Sequence, residues 1–379
     1  MVNIILTGLF TAFFSLPALA CADLNDQASR RDQPSQAVEQ SSPNLAESIA
    51  DVLLGKAYQD GAMGPRNYAE AARLYRKAAA RGLALGQYYL GFLYASGLGV
   101  PQDYSEAERW LCRAGEQGDA DAQVLLGVLY YNGQGVAQNH RQALHWFHQA
   151  AAKGSAHAQY SLGMMYSLGQ GTPQNDASAL SWYRLAAAQG HPAASYNLGL
   201  KYFQGNGISK DLEAALHLFY QAAEHGLAES QYVLGRIYLA GEEVPADYAE
   251  ALHWSRLAAG QGHPGGQVSL GLMYARGEGV PQDGVEAVRW FRAAADQGDA
   301  SGQLNLAMAY WMGLGVKPDP IEAYLWATLS AEQRNEEAKE FQATLLKEMT
   351  PPQISKAQRL ARAWKAKILS QPQKAKRRK

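Results

Sequence analysis

The chain has 379 residues, 47% hydrophobic and 18% charged, with two cysteines. That length suits two or three domains or one long array with ample core; the hydrophobic share excludes disorder throughout, and two cysteines exclude a disulfide-stapled scaffold or a four-thiolate zinc site. A net charge of -1 conceals an asymmetry, with +8 from Asn335 to Lys379 and -9 over residues 1–334.

From the N-terminus, Ile4 to Leu19 is largely apolar and uncharged, too short for a comfortable bilayer span, and Ala18-Leu19-Ala20 fits a small-x-small cleavage pattern. Residues 1–20 are therefore expected to be a secretory signal, although Met1-Val2-Asn3 lacks a basic residue. Cys21 follows at once, which resembles a bacterial lipoprotein signal. The expected location is the periplasm or beyond it, or the outer membrane if Cys21 carries lipid; that anchor is the only membrane attachment expected. Cys112 is then left as a buried, unpaired thiol. Residues 21–46, rich in Ser, Gln, Asp and Pro, read as a flexible linker.

From residue 47 to 334 a step of 36 residues dominates the chain. Leu-Gly pairs start at Leu54 and Leu90 and recur to Leu270, with Leu306-Ala307 next; columns of Tyr (Tyr58 to Tyr310), Ala (Ala71 to Ala323) and Gly (Gly61 to Gly313) keep the same step. Each unit reads as two helices. In the second, helix A runs from Ala84 to Ser96 and ends at Gly97, whose freedom to adopt a left-handed conformation closes the last turn. Asp103 caps helix B, and all eight equivalents are Asn or Asp. Glu or Gln three residues on, as in Glu106, has the spacing of a capping box. Gly91 and Ala107 permit close helix approach, with Trp110, Trp146, Trp182, Trp254, Trp290 and Trp326 filling the gaps between layers. Four glycine columns account for 28 of the 37 glycines.

The unit A-x-x-Q-x-x-L-G-x-x-Y-x-x-G-x-G-V-x-x-D-x-x-x-A-x-x-W, carried by Ala84, Gln87, Leu90, Gly91, Tyr94, Gly97, Gly99, Val100, Asp103, Ala107 and Trp110, resembles the Sel-one-like repeat (SLR) family, which is similar to tetratricopeptide arrays. The resemblance implies an all-α, right-handed α-solenoid of eight 36-residue helix-turn-helix repeats that scaffolds protein complexes. The last unit departs from the pattern at Ala307, Ser330 and Arg334. Beyond it, residues 335–370 read as a C-terminal helical cap: one helix from Glu336 to Glu348, then one opened by Thr350-Pro351 with an apolar stripe through Ile354, Ala357, Leu360, Ala361, Trp364 and Ile368. Residues 371–379 form a basic tail. It has no aromatic interleaving or groove-reading motif, so no nucleic-acid partner is expected.

Catalytic constellations are not legible. Gly97-x-Gly99 recurs in most units and follows no strand, so it is a turn and not a phosphate loop. His140, His145 and His148 cluster without the carboxylate pattern of a metal site. No Ser lies three residues before a Lys, and Gly-x-Ser-x-Gly, His-Glu-x-x-His and Cys-x-x-Cys are lacking. No enzyme, metal or cofactor is expected. In the family helix A lines a concave groove, and its positions that vary between repeats are the candidate partner-binding residues: Tyr89, Phe92, Asn132, His157, Met164, Asn197, Gln204, Glu229, Arg236, Arg276, Asn305 and Met312. The expected function is a monomeric adaptor of the bacterial envelope that binds protein or peptide partners. Two alternatives stay open: a protein that binds or hydrolyses cell-wall glycan or β-lactams, like the cysteine-rich members of the family, and a cytosolic adaptor if the N-terminus is not a signal.

Overall fold

The computed structural model describes the backbone of residues 41–375 and the side chains of residues 44–367. The expected signal at residues 1–20, Cys21, the linker up to residue 40 and the end of the basic tail lie outside the described residues. Among the described residues the chain is all-α. It divides into two compact units, Met1–Ala194 and Ser195–Lys379.

In the first unit the helices are α1 (Ser41–Asp60), α2 (Tyr68–Ala80), α3 (Ala84–Ser96), α4 (Tyr104–Glu116), α5 (Ala120–Asn132), α6 (His140–Ala152), α7 (Ala156–Leu168) and α8 (Asp176–Ala188), and the division falls within α9 (Pro192–Gln204). The second unit continues with α10 (Leu212–Glu224), α11 (Ala228–Ala240), α12 (Tyr248–Gly260), α13 (Pro264–Arg276), α14 (Gly284–Asp296), α15 (Ala300–Met312), α16 (Pro320–Ala331), α17 (Glu336–Glu348) and α18 (Pro351–Ala375). Odd-numbered α1–α15 are helices A and even-numbered α2–α16 are helices B. From α1 to α8, and from α10 to α16, each helix packs on its successor. α1 starts at Ser41, six residues before the expected repeat boundary, and Ser48 Oγ donates to the Asn44 carbonyl within it.

Every helix B is capped as its sequence dictates. The eight Asn or Asp side chains from Asn67 to Asp319 accept first-turn backbone N–H groups, at 2.9 and 3.0 Å for Asp103. The reciprocal half of the capping box does not form. The cap N–H already donates to a tyrosine carbonyl in helix A, as Asp103 does to Tyr94 at 3.0 Å. The third-position glutamate is thereby released to Arg73, Arg109 and Arg289 one turn on, or to the indole N–H of Trp254 and Trp326. Helix A has a second cap column that the sequence reading missed, in which Asp119, Ser155, His191, His263 and Asp299 accept N–H groups, and Asn335 continues it at the start of α17.

The Leu-Gly glycine accepts not the tryptophan but the residue after it. A Cβ at Gly163 would lie 2.6 Å from the Tyr183 ring, and one at Gly127 would lie 2.4 Å from Phe147. Tyr75, Phe219 and Phe291 fill equivalent positions and are essentially inaccessible. The tryptophans are split: Trp146, Trp254 and Trp326 are buried, while Trp110, Trp182 and Trp290 are half-buried. Cys112 is buried as expected, but it is disulfide-bonded rather than a free thiol.

α17 and α18 both pack on α16. Leu345, Met349, Ala357 and Ala361 enter its core, and Trp364 meets Trp326 edge-on with centroids 5.7 Å apart. Lys365 pairs with Glu332. Arg334 takes φ 65°, where seven repeats place glycine.

Candidate partner-binding face

Contacts between repeats decide which side chains are left for a partner. Helix-A glutamines reach back to the preceding helix B: Gln123 Nε2 donates to the Gly115 carbonyl at 2.8 Å and Gln231 Nε2 to the Ala223 carbonyl at 3.0 Å. The residue that ends helix B closes the ladder. Gln297 Nε2 donates to Gln267 Oε1 at 2.9 Å and to the Gly262 carbonyl of the preceding repeat at 3.0 Å. Tyrosine hydroxyls add a second tie across repeats: Arg76 donates to Tyr94 at 3.1 Å, and Tyr220 donates to Tyr238 at 2.8 Å. Where Cys112 stands in that column, Tyr130 donates instead to buried Glu108 at 2.7 Å.

The twelve sequence-selected residues separate by position along helix A. Asn132, His157, Gln204, Arg236, Arg276 and Met312 are exposed; all but Arg236 stand near an end of their helix. Exposed Leu85 and Leu168 stand at equivalent ends. Those nearer the middle are largely taken up by packing. Tyr89 stacks on Tyr75 with centroids 4.8 Å apart, Phe92 packs on the buried cluster that holds Tyr75, Leu90 and Leu93, and Met164 is only 8% exposed. Asn197 and Asn305 are half-buried, and Asn305 Nδ2 donates to the Ser301 carbonyl at 2.9 Å, whereas Glu229 is half-buried although it stands at the start of α11. Helix A packs on the preceding helix B, as Tyr89 does on Tyr75 of α2, and also lies against helix A of the next repeat, as α3 does on α5 and α13 on α15.

The available chemistry is mixed. Met312 is an apolar side chain 66% exposed; Arg236 lies 5.7 Å over the Tyr232 ring, and Arg276 faces Glu278 at 3.7 Å. In the first unit His157 meets His191 edge-on at 4.8 Å, and His191 stacks on Tyr160. Burial, assisted by the neighbouring His157, lowers the His191 pKa to about 4, so its neutral Nδ1 accepts from Ala194 N–H. His263 repeats the arrangement, stacked on Tyr232 and depressed by burial. His145 and His148 are engaged with Gln149 and Tyr166 at 2.9 and 3.2 Å. Among the described residues no group of three His, Cys, Asp or Glu is placed to hold a metal ion, and no helix is long and apolar enough to cross a membrane.

The Sel1 repeat model matches eight consecutive segments, residues 48–83, 84–119, 120–155, 156–191, 192–227, 228–263, 264–299 and 300–335. A solved Sel1 repeat protein from Oxalobacter formigenes is 32% identical over 84% of this chain and 98% of its own, with a TM-score of 0.60. A protective antigen present in uropathogenic Escherichia coli strains, displaying an SLR fold, is 29% identical over 84% of each chain, with a TM-score of 0.44. No curated protein matches the chain.

Proposed function

Because this chain belongs to the Sel1 repeat family, we propose that it is a non-catalytic adaptor of the bacterial envelope that binds protein partners through the exposed residues of its helices A. Sel1 repeat proteins are in general protein-interaction scaffolds. The observation that carries the reading is the contrast within helix A. Its packing positions repeat every 36 residues, whereas its exposed positions present His157, Leu168, Arg236, Arg276 and Met312 in turn. An apolar anchor beside polar and charged neighbours is the composition of a protein-binding surface. The envelope location is supported by the apolar stretch Ile4–Leu19 and the cleavage pattern before Cys21. Mass spectrometry of the mature N-terminus tests it: the expected species starts at Cys21, and an intact Met1 overturns it.

The adaptor reading is tested by affinity capture from native envelopes. A chain carrying His157→Asp, Arg236→Glu and Met312→Asp is expected to lose at least tenfold of its bound partner while melting at the wild-type temperature, because all three side chains are exposed. Retention of every partner by that variant overturns the reading.

A further inference from the structure

The first repeat differs from the other seven on the helix-A face that docks the preceding repeat. Leu54 is 38% exposed, whereas its equivalents, from Leu90 to Leu306, are 0–4% exposed. Ala50 is also exposed; its equivalents Ala122 and Ala158 are 0% exposed. In the second repeat this position is Gly86, where a Cβ would lie 2.7 Å from Ala78 Cβ at the end of the preceding helix B. Alongside, Leu45, Ile49 and Leu53 are 52%, 45% and 64% exposed, one turn apart on α1. A terminal repeat ordinarily turns a polar face to water. α18 obeys that rule in its own unit, exposing Lys356, Arg359 and Arg362. α1 does not, and a contiguous apolar face of this kind marks an interaction site.

We infer that the outer face of α1 docks an amphipathic helix of a partner protein, one with paired small residues where it crosses Ala50 and Leu54 and basic residues at its rim. The later repeats supply the template. There the occupant of this face is the end of a helix B, with Ala78-Ala79, Ala258-Ala259 or Ala294-Ala295 packed against a small helix-A residue. The rim distinguishes the partner from another repeat. Where six of the seven later repeats place a glutamine, which in the second donates from Gln87 to the Ala79 carbonyl of the docked helix, α1 has Asp51, which only accepts. Glu47 lies one turn earlier, and both carboxylates share Arg81, at 3.1 and 2.7 Å. Two carboxylates on one guanidinium leave a net negative rim, which favours a basic helix. A second copy cannot supply the matching helix end, because its Ser330 and Ala331 are buried together with Ala338 of α17. This surface rests on repeat packing and stands apart from the exposed positions of the adaptor reading.

The probe is a fluorescein-labelled peptide of residues 68–82, which carries Arg73, Arg76, Lys77, Arg81 and the Ala78-Ala79 pair, stapled on its outer side because isolated helices of this length are marginal. Titration into the full chain, read by anisotropy, is expected to saturate. Leu54→Glu or Ala50→Glu in the chain, or Ala78→Glu in the peptide, is expected to weaken binding at least tenfold, with the melting temperature of the chain unchanged. Equal binding by the Leu54→Glu chain, or no binding by the wild type, overturns the inference. So does a dimer that Leu54→Glu converts to monomer, since a second copy then covers the face. Binding that appears only once residues 1–40 are removed overturns it too, since the chain then covers its own face.

Discussion

At the scale of single residues, the repeat is held by positions that tolerate no side chain and by buried polar groups that bond the neighbouring repeat. Gly135 combines both constraints of the loop after helix A: its φ is 72°, and a Cβ there would lie 2.0 Å from Tyr104 Cβ at the start of the preceding helix B. Gly135→Ala is therefore expected to cost about 2–4 kcal/mol, from left-handed strain plus overpacking, read as a shift in the urea midpoint. Glu243, which replaces this glycine in the sixth repeat, pairs with Lys210 of the fifth at 3.1 Å. His191 makes stability pH-dependent. Its folded pKa of about 4 lies below the ordinary 6.5, so between those values the unfolded chain binds more protons. Its contribution is complete above about pH 6.5 and is lost as pH falls toward 4, because an imidazolium cannot accept the Ala194 N–H. His191→Asn keeps a capping acceptor without a titration and is expected to flatten the urea midpoint between pH 6.5 and 4; an unchanged slope would place the titration elsewhere.

At the scale of the element, the start of helix B and the end of helix A were legible because each is written in one column, Asn or Asp at the first and Gly at the second. Asp283 and its equivalents start helix B and Gly97 and its equivalents end helix A, as the 36-residue columns predict. Asp283→Ala is expected to cost about 1 kcal/mol, measured by chemical unfolding, because its carboxylate holds two N–H groups at 2.9 and 3.1 Å. What escaped the sequence reading lies between columns. The glutamine ladder joins residues 30 and 35 apart, and its second column changes identity, with Lys153 in contact with the Gly118 carbonyl and His225 in the next unit but one. The burial of Met164 and the stacking of Tyr89 come from contacts with neighbouring helices, so they leave no mark in a single-helix pattern. Tryptophan attracted attention by its size, yet Phe147, Tyr183 and Phe219, one position later, fill the space over the glycine.

At the scale of the whole molecule, nearest-neighbour stacking accounts for the constancy of the packing columns, and it frees the exposed positions of helix A to vary without cost to the fold. The sequence identified helix A as the variable helix, but the structure narrows its available positions mainly to the two ends, where Asn132, His157, Gln204, Arg276 and Met312 stand. Binding through those positions is separable from binding through any other exposed apolar residue, because helices B also expose leucines, Leu185 at 50% and Leu257 at 41%. The most direct test is the equilibrium affinity of a purified partner for two variants of the full chain. His157→Asp with Arg236→Glu and Met312→Asp is predicted to weaken binding at least tenfold, and Leu185→Asp with Leu257→Asp to change it less than twofold. The reverse order would place the partner on helix B and contradict the account.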